Sequence, residues 1–318
     1  MTHEDREAVP PPTGYPTVGH VDPPARSTRQ ANLRAAGIMI GAVLAFSLMD
    51  AGLKTLSTDY PPLQVTALRG LSSLPIILIW VGFRGGYRQL LRIRFSLHVV
   101  RGILGIIMLS TFAWALRHLP LSEAYAIFFT APLLITALAV PILGEQVSWS
   151  RWIAIAVGLG GAMILLRPTG SGVLTLAGLA VTVTAIGYAL SAIIVRILGR
   201  TDTTESMMFW LMAMMGAGAA VLALPHWRPI LPSHWLVIIG IAVTGSLGQW
   251  GITEAFSRGE ASFIAPLEYT ALAWGVGLDW FLWRSLPGAI TFVGAAIIIV
   301  SGIYLIRHEQ VPLEAEHP

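Results

Sequence analysis

Asp50 and Lys54 stand four residues apart within one apolar run, a single helical turn from each other on the same face. Arg69 sits in the next apolar run and Glu268 in one near the C-terminus. An ionisable side chain in a membrane-length apolar run costs roughly 2.5–3.5 kcal/mol on insertion scales, so it faces a cavity or a partner and marks a candidate function. Asp50 lies fifteen residues into its run, about 22 Å from the entry edge at about 1.5 Å per residue. Arg69, about seven residues into the returning run, is roughly 10 Å from the opposite edge. In a hydrocarbon layer about 30 Å thick the two fall at similar depth, where they can pair or share a cavity. Two readings stand: a structural ion pair, or groups that recognise a charged solute or carry a coupling proton. The corresponding positions of the second half, near Ser191, Val195 and Phe209-Trp210, are apolar or neutral, and confinement to one half weighs toward the second reading. Glu268 follows Pro266, and its counterpart in the first half is Leu134. A carboxylate there faces a cavity or is protonated, serving a cation or proton, or else makes a helix-packing hydrogen bond.

Tyr125, Trp210, Trp250, Tyr269 and Trp274 are candidate cavity-lining aromatics, able to wall an amphipathic solute or stack on a cation. The competing reading is the aromatic belt at the bilayer surface, which suits Trp149, Trp152, Trp235, Trp280 and Trp283 near run ends. Glu145 and Arg151 read as an interfacial ion pair. Gly158-Leu159-Gly160-Gly161 lies inside an apolar run, where small residues allow close helix packing. Gly52-Leu53-Lys54-Thr55 lacks the glycine that a phosphate-binding loop needs before its lysine. The eight histidines show no metal-ligand spacing, and no catalytic triad appears as a local motif. No catalytic residue, metal or cofactor is therefore assigned, and the chain is read as a protein other than an enzyme. An intramembrane enzyme or a lipid-handling protein is the rival class.

The elements that position these groups are membrane spans. The 318 residues are 55% hydrophobic and 12% charged, with a mean hydropathy of +0.70. Soluble domains carry about a quarter charged residues, and a core of this size cannot hide so much apolar surface, whereas a bilayer can. The expected fold is all-α and integral to the membrane, with spans at 35–56, 63–82, 98–116, 121–143, 150–166, 174–196, 204–224, 235–256, 261–281 and 287–306. Residues 1–33, with six prolines in the first thirty and no apolar stretch, read as a disordered tail, and 309–318 as a second tail. No secretory signal is expected, because the apolar core of one is missing. Of the basic residues, 19 Arg and one Lys, all but Lys54, Arg69 and Arg101, which lie within or at the edges of spans, fall in the connections. With the N-terminus inside, thirteen Arg lie in cytoplasmic segments against four in outer ones, so both termini are expected in the cytoplasm. That placement also accounts for the pI near 9.5 without a nucleic-acid partner. Cysteine is absent, which removes disulfides and thiolate chemistry.

Internal repetition organises the spans. Residues 131–140 (Ala-Pro-Leu-Leu-Ile-Thr-Ala-Leu-Ala-Val) and 265–274 (Ala-Pro-Leu-Glu-Tyr-Thr-Ala-Leu-Ala-Trp) match at seven of ten positions. Leu165-Leu166-Arg167 and Leu305-Ile306-Arg307 correspond at the ends of the halves. Each half then holds five spans, at 34–168 and 169–308. An odd number forces the second half to enter from the opposite side, the inverted-repeat architecture of many secondary transporters. A proline shared within a span is hard to attribute to chance, since it removes a helix hydrogen bond.

The stretch Ala115-Leu116-Arg117-His118-Leu119-Pro120-Leu121-Ser122-Glu123-Ala124, with Ala131-Pro132 and Gly144-Glu145-Gln146-Val147-Ser148, resembles the EamA family of the drug/metabolite transporter superfamily. Ala265 to Leu272 and the closing Gly294 to Gly302 fit the same pattern, so the resemblance covers roughly residues 35 to 308. The family's second half often repeats Gly-Glu before the last span. This chain has Arg284-Ser285-Leu286-Pro287 there, and ungapped alignment sets Asp279 opposite Glu145. The resemblance implies ten helices in two repeats, no ATP hydrolysis, and a multi-pass protein of a bacterial inner membrane. It implies transport of amino acids, related zwitterions, nucleotide-like metabolites or drugs, and charges of both signs with aromatic walls favour export of amino acids or amino-acid-derived zwitterions, metallophores included, by alternating access. Uptake of a larger metabolite such as S-adenosylmethionine or riboflavin is the alternative. Expected partners are a small-molecule substrate and the bilayer, with a second copy of the chain as a candidate.

Overall fold

The computed structural model describes residues 25–84, 87–91, 93–143, 149–166, 175–198, 201–258 and 265–308. Glu145 lies outside them, as do Met1 to Pro24 and residues 309–318 of the expected tails. Every element among the described residues is helical: α1 (Ala25–Asp59), α2 (Pro62–Arg84), α3 (Phe95–Leu116), α4 (Leu121–Phe128), α5 (Ala131–Leu143), α6 (Trp149–Leu166), α7 (Leu176–Leu198), α8 (Thr204–Ala223), α9 (Trp235–Arg258), α10 (Ala271–Trp283) and α11 (Ala289–His308). Short 3₁₀ turns cover Tyr87–Leu91, Leu224–His226, Pro232–His234 and Ala265–Thr270. Among the described residues, seven segments are long and apolar enough to cross a membrane by length and composition, from Leu33–Asp59 to Pro232–Ile252. The chain is thus an integral membrane protein, all-helical among the described residues. Helix α1 begins at Ala25, ahead of the boundary expected at residue 34, because a helix can run on beyond the apolar stretch that spans the hydrocarbon.

Chain chemistry sets the breaks. The run 121–143 is a single apolar stretch, yet it divides into α4 and α5 at Phe129-Thr130. Pro132 accounts for the break, since a proline offers no N–H to the carbonyl four residues back. The Thr130 amide reaches back only three residues, to the Ile127 carbonyl at 3.1 Å. The matching Pro266 lies in the 3₁₀ turn that precedes α10, so the repeated proline marks an irregular turn in both halves. Helix α10 ends on Arg284 at φ 53°, with the Arg284 amide bonded to the Trp280 carbonyl and the Ser285 amide to the Asp279 carbonyl. This paired termination is ordinarily a glycine's place.

Helices pack along each other in a definite set of pairs: α1 with α9, α2 with α8, α3 with α7, and α6 with α11. Lesser contacts join α3 to α8, α2 to α9, α4 and α5 to α7, α4 to α10, and α1 to α10 with its leading turn. Glycine lets two helices cross closely. A Cβ on Gly70 of α2 would lie 2.5 Å from the Cα of Gly216 of α8, so the two backbones touch.

Candidate functional site

Helices α2, α3, α7, α8 and α9 enclose a cavity of about 110 Å³. Arg69, Ser73 and Ile77 line it from α2, Arg101 from α3 and Val195 from α7. Helix α8 supplies Thr204, Met207, Met208, Leu211 and Met212, and α9 supplies Gly245, Ser246 and Gln249. Arg69 is 6% exposed. Its Nη1 donates to Ser73 Oγ at 2.6 Å and to Met212 Sδ at 3.8 Å. Ser73 Oγ in turn donates to the Arg69 carbonyl at 2.9 Å, so one turn of α2 fixes the guanidinium from below. Gly245 clears its flank, because a Cβ there would lie 2.7 Å from Arg69 Nη2. Arg101 is 7% exposed, and its Nη1 donates to the Met207 carbonyl at 3.2 Å.

Asp50 is buried, and its Oδ2 accepts from the Tyr125 hydroxyl at 2.8 Å. Asp50 and Arg69 do not form an ion pair; the acid is held by α4 and the base by its own helix. Lys54 leads elsewhere. Its Nζ donates to Asp279 Oδ1 at 3.2 Å and to the Leu119 carbonyl at 3.1 Å, and stands 4.4 Å from the centre of the Trp283 ring. Asp279 is wholly buried and also accepts from the Leu121 amide at 2.9 Å, and from the Ser122 amide and hydroxyl at 2.8 and 2.7 Å. The carboxylate of α10 therefore caps the first turn of α4, whose own preceding residue, Pro120, provides no side-chain cap.

The end of the bundle that carries Asp59 is laced further. Arg117 donates to the Ser57 and Tyr60 carbonyls, the latter at 3.1 Å, and Gln64 exchanges two hydrogen bonds with the Arg228 backbone. The Tyr60 hydroxyl accepts from the Leu231 amide at 2.9 Å and lies 2.9 Å from His234 Nδ1. At the other end, Asp202, between α7 and α8, accepts from the Arg94 amide at 3.2 Å and stands 2.8 Å from Nε2 of the fully buried His98. Burial works to raise the Asp202 carboxyl, but hydrogen bonds from Thr201, His98 and Arg94 outweigh it and hold the group below its ordinary value.

Glu268 lies in the 3₁₀ turn before α10, half-buried, and makes no hydrogen bond or ion pair with the described residues. The five singled-out aromatics do not line the described cavity. Tyr125 holds Asp50, and Trp210 Nε1 donates to the Leu90 carbonyl at 2.8 Å. Trp250 packs edge-on to Trp80 and is 38% exposed. Tyr269 stacks edge-on to Phe129, and its buried hydroxyl, like Trp274 Nε1, lacks a hydrogen-bond partner among the described residues. Arg101 and Asp279 are the residues that sequence reasoning assigned no role. Arg101 stands at a span edge, where a membrane-surface arginine is expected. Asp279 was marked only by its alignment with Glu145.

The geometry can be set beside known proteins. The family model described as the EamA-like transporter family matches the chain twice, over residues 33–167 and 175–307. A riboflavin transporter of Vibrio cholerae is 29% identical over 89% of this chain and 96% of its own length. A pseudopaline exporter of Pseudomonas aeruginosa is 26% identical over 88% of this chain and 99% of its own. An S-adenosylmethionine uptake transporter of Rickettsia prowazekii is 26% identical, over 87% and 93%. A protein solved by crystallography shares the fold at a TM-score of 0.59, covering 87% of this chain and 99% of its own, with 22% identity.

Proposed function

The chain belongs to the EamA-like transporter family, a family of transporters and not of enzymes, and from that premise we propose that it is a secondary transporter of a bacterial inner membrane, exporting amino acids or amino-acid-derived zwitterions by alternating access. Ten spans carry the chain across: α1, α2, α3, α4 with α5, and α6 in the first half, then α7, α8, α9, the 3₁₀ turn with α10, and α11 in the second. Both termini lie in the cytoplasm. The packing pairs support inversion of the two halves. Exchanging each span with its counterpart turns α1–α9 into α7–α3, and α3–α8 into α9–α2, while α2–α8, α4–α10 and α6–α11 map onto themselves. Two halves matched separately by one family model agree with this layout.

The observation that carries the functional reading is a charged cavity walled by spans of both halves. Asp50, Lys54, Arg69 and Glu268 recognise the solute's charged groups or carry a coupling proton. In this reading Lys54 is held by Asp279 until the transport cycle releases it, and Glu268 waits without a fixed partner. The pseudopaline exporter among the relatives supports export of metallophore-like zwitterions. Uptake of a larger metabolite is the second reading, favoured by the riboflavin and S-adenosylmethionine relatives. Counterflow in proteoliposomes, with labelled amino acids, S-adenosylmethionine and riboflavin and with or without a proton gradient, is the test. Saturable exchange of an amino-acid-like solute supports the first reading and exchange of riboflavin the second. Exchange of none, by protein that remains folded, argues against transport of these classes.

A further inference from the structure

Two buried guanidinium groups share the cavity, and none of its lining residues among those described is acidic. Asp50, the carboxylate nearest in the sequence-based reading, is held by Tyr125 and balances at most one of the two. Arg101 has no ion pair among the described residues. Its contacts are a 3.2 Å bond from Nη1 to the Met207 carbonyl and a long 3.5 Å approach of Nε to Ser191 Oγ. Arg69 spends Nη1 on Ser73 and on the weak acceptor Met212 Sδ. A guanidinium offers five N–H donors, and a buried one is costly unless those donors and its charge are met. Nη2 of Arg69 packs against Gly245, 2.7 Å from where a Cβ would stand, and so close an approach is open only to glycine.

From this geometry we infer that the cavity is built for an anionic oxygen group, a carboxylate or phosphate, which Arg69 and Arg101 bind together. Paired N–H donors match such a group in geometry as well as charge. Met207, Met208 and Met212 form an adaptable thioether wall beside it, suited to the apolar remainder of the solute. The inference rests on the transporter reading for its biological use and narrows its substrate class: solutes with a free acid are preferred over neutral or cationic ones. Arg101, absent from the sequence-derived site, becomes a specificity-determining residue. It acts by contact with the solute.

The test compares acids with their uncharged twins: succinate against succinamide, glutarate against glutaramide, and inorganic phosphate as a third probe. The full chain is held in nanodiscs at fixed ionic strength. Tryptophan fluorescence titration and the unfolding midpoint report binding. The expected result is at least about a 10-fold preference for the acid of each pair, removed by Arg101→Gln while the amide's affinity stays unchanged. Phosphate binding without carboxylate binding assigns the site to phosphate esters, and the reverse assigns it to carboxylic acids. Equal affinity for acid and amide, or an unchanged preference in Arg101→Gln, overturns the inference. Should Arg101→Gln or Arg69→Gln fail to fold, modification of the wild-type protein by phenylglyoxal decides. Succinate but not succinamide should slow labelling of Arg101, and equal labelling under both overturns it. Counterflow separates the two levels. Riboflavin exchange indifferent to Arg101→Gln leaves the transporter standing and removes the anion site, whereas acid binding without any exchange does the opposite.

Discussion

Gly70 and Gly216 meet backbone to backbone where α2 crosses α8, one position after Arg69 and four after Met212. The contact sets the distance between two cavity walls. A methyl group on Gly216 would stand 2.8 Å from the Leu71 amide nitrogen, and backbone cannot move aside as a flexible side chain does. Either Gly70→Ala or Gly216→Ala should therefore destabilise the protein by about 1–3 kcal/mol, through overpacking. Thermal unfolding in detergent measures this, and unchanged midpoints in both variants would contradict the close crossing.

Lys54 and Asp279 are unequal partners. Asp279 also satisfies two amides and a hydroxyl of α4, so its loss strands more than the lysine's does. Lys54→Met leaves a buried carboxylate still held by three donors, whereas Asp279→Leu leaves a partly buried cation and an uncapped helix. Breaking a buried pair costs on the order of 3–5 kcal/mol, and Asp279→Leu should fall at or beyond the top of that range with Lys54→Met well below it. A reversed order, read from unfolding midpoints, would refute the capping role.

Asp50→Asn and Glu268→Gln should leave the protein folded and monodisperse yet cut counterflow of its solute at least about 10-fold, if the carboxylates carry a coupling proton or bind solute charge. Wild-type rates in both variants would remove them from the site. Loss in Glu268→Gln alone would locate the coupling in the turn before α10.

The Asp202 carboxyl lies below its ordinary value of 3.8 in the folded protein. A lowered carboxyl stabilises the fold above that ordinary value, and the contribution fades as pH falls through the folded-state value. At pH 7, Asp202→Asn should unfold at a lower temperature than the wild type, by an amount corresponding to roughly 1–3 kcal/mol for lost charge-assisted hydrogen bonds. The gap should narrow below about pH 4 and close on further acidification. A gap that stays constant over that interval would show that the carboxylate's charge is irrelevant to the His98 contact.

Much of the framework can be read from residues alone. Family membership follows from the motifs around Ala131-Pro132 and Ala265-Pro266, and the irregular turns fall beside those prolines because a missing N–H is a local fact. Contacts between helices are another matter. Lys54 and Asp279 are 225 residues apart, and neither four-residue spacing nor depth counting joins them. Depth arithmetic put Asp50 and Arg69 at one level but could not say that Tyr125 would take the acid. The aromatics illustrate the same limit: Trp250 and Tyr125 both lie in apolar runs, and an all-apolar helix has no periodic face to show which ring turns outward. Arg101 was hidden by position, since a basic residue near a span end matches the ordinary pattern of orientation signals.

The cap that Asp279 places on α4 has a consequence for biogenesis. Its Oδ2 serves Ser122, a residue that leaves the ribosome 157 positions earlier. Until α10 is threaded into the bilayer, the opening turn of α4 carries amide groups without their native acceptor, in surroundings where each unpaired amide is expensive. The first half of the chain therefore cannot reach its final form by itself. It waits for the second, and maturation completes only when the penultimate span arrives.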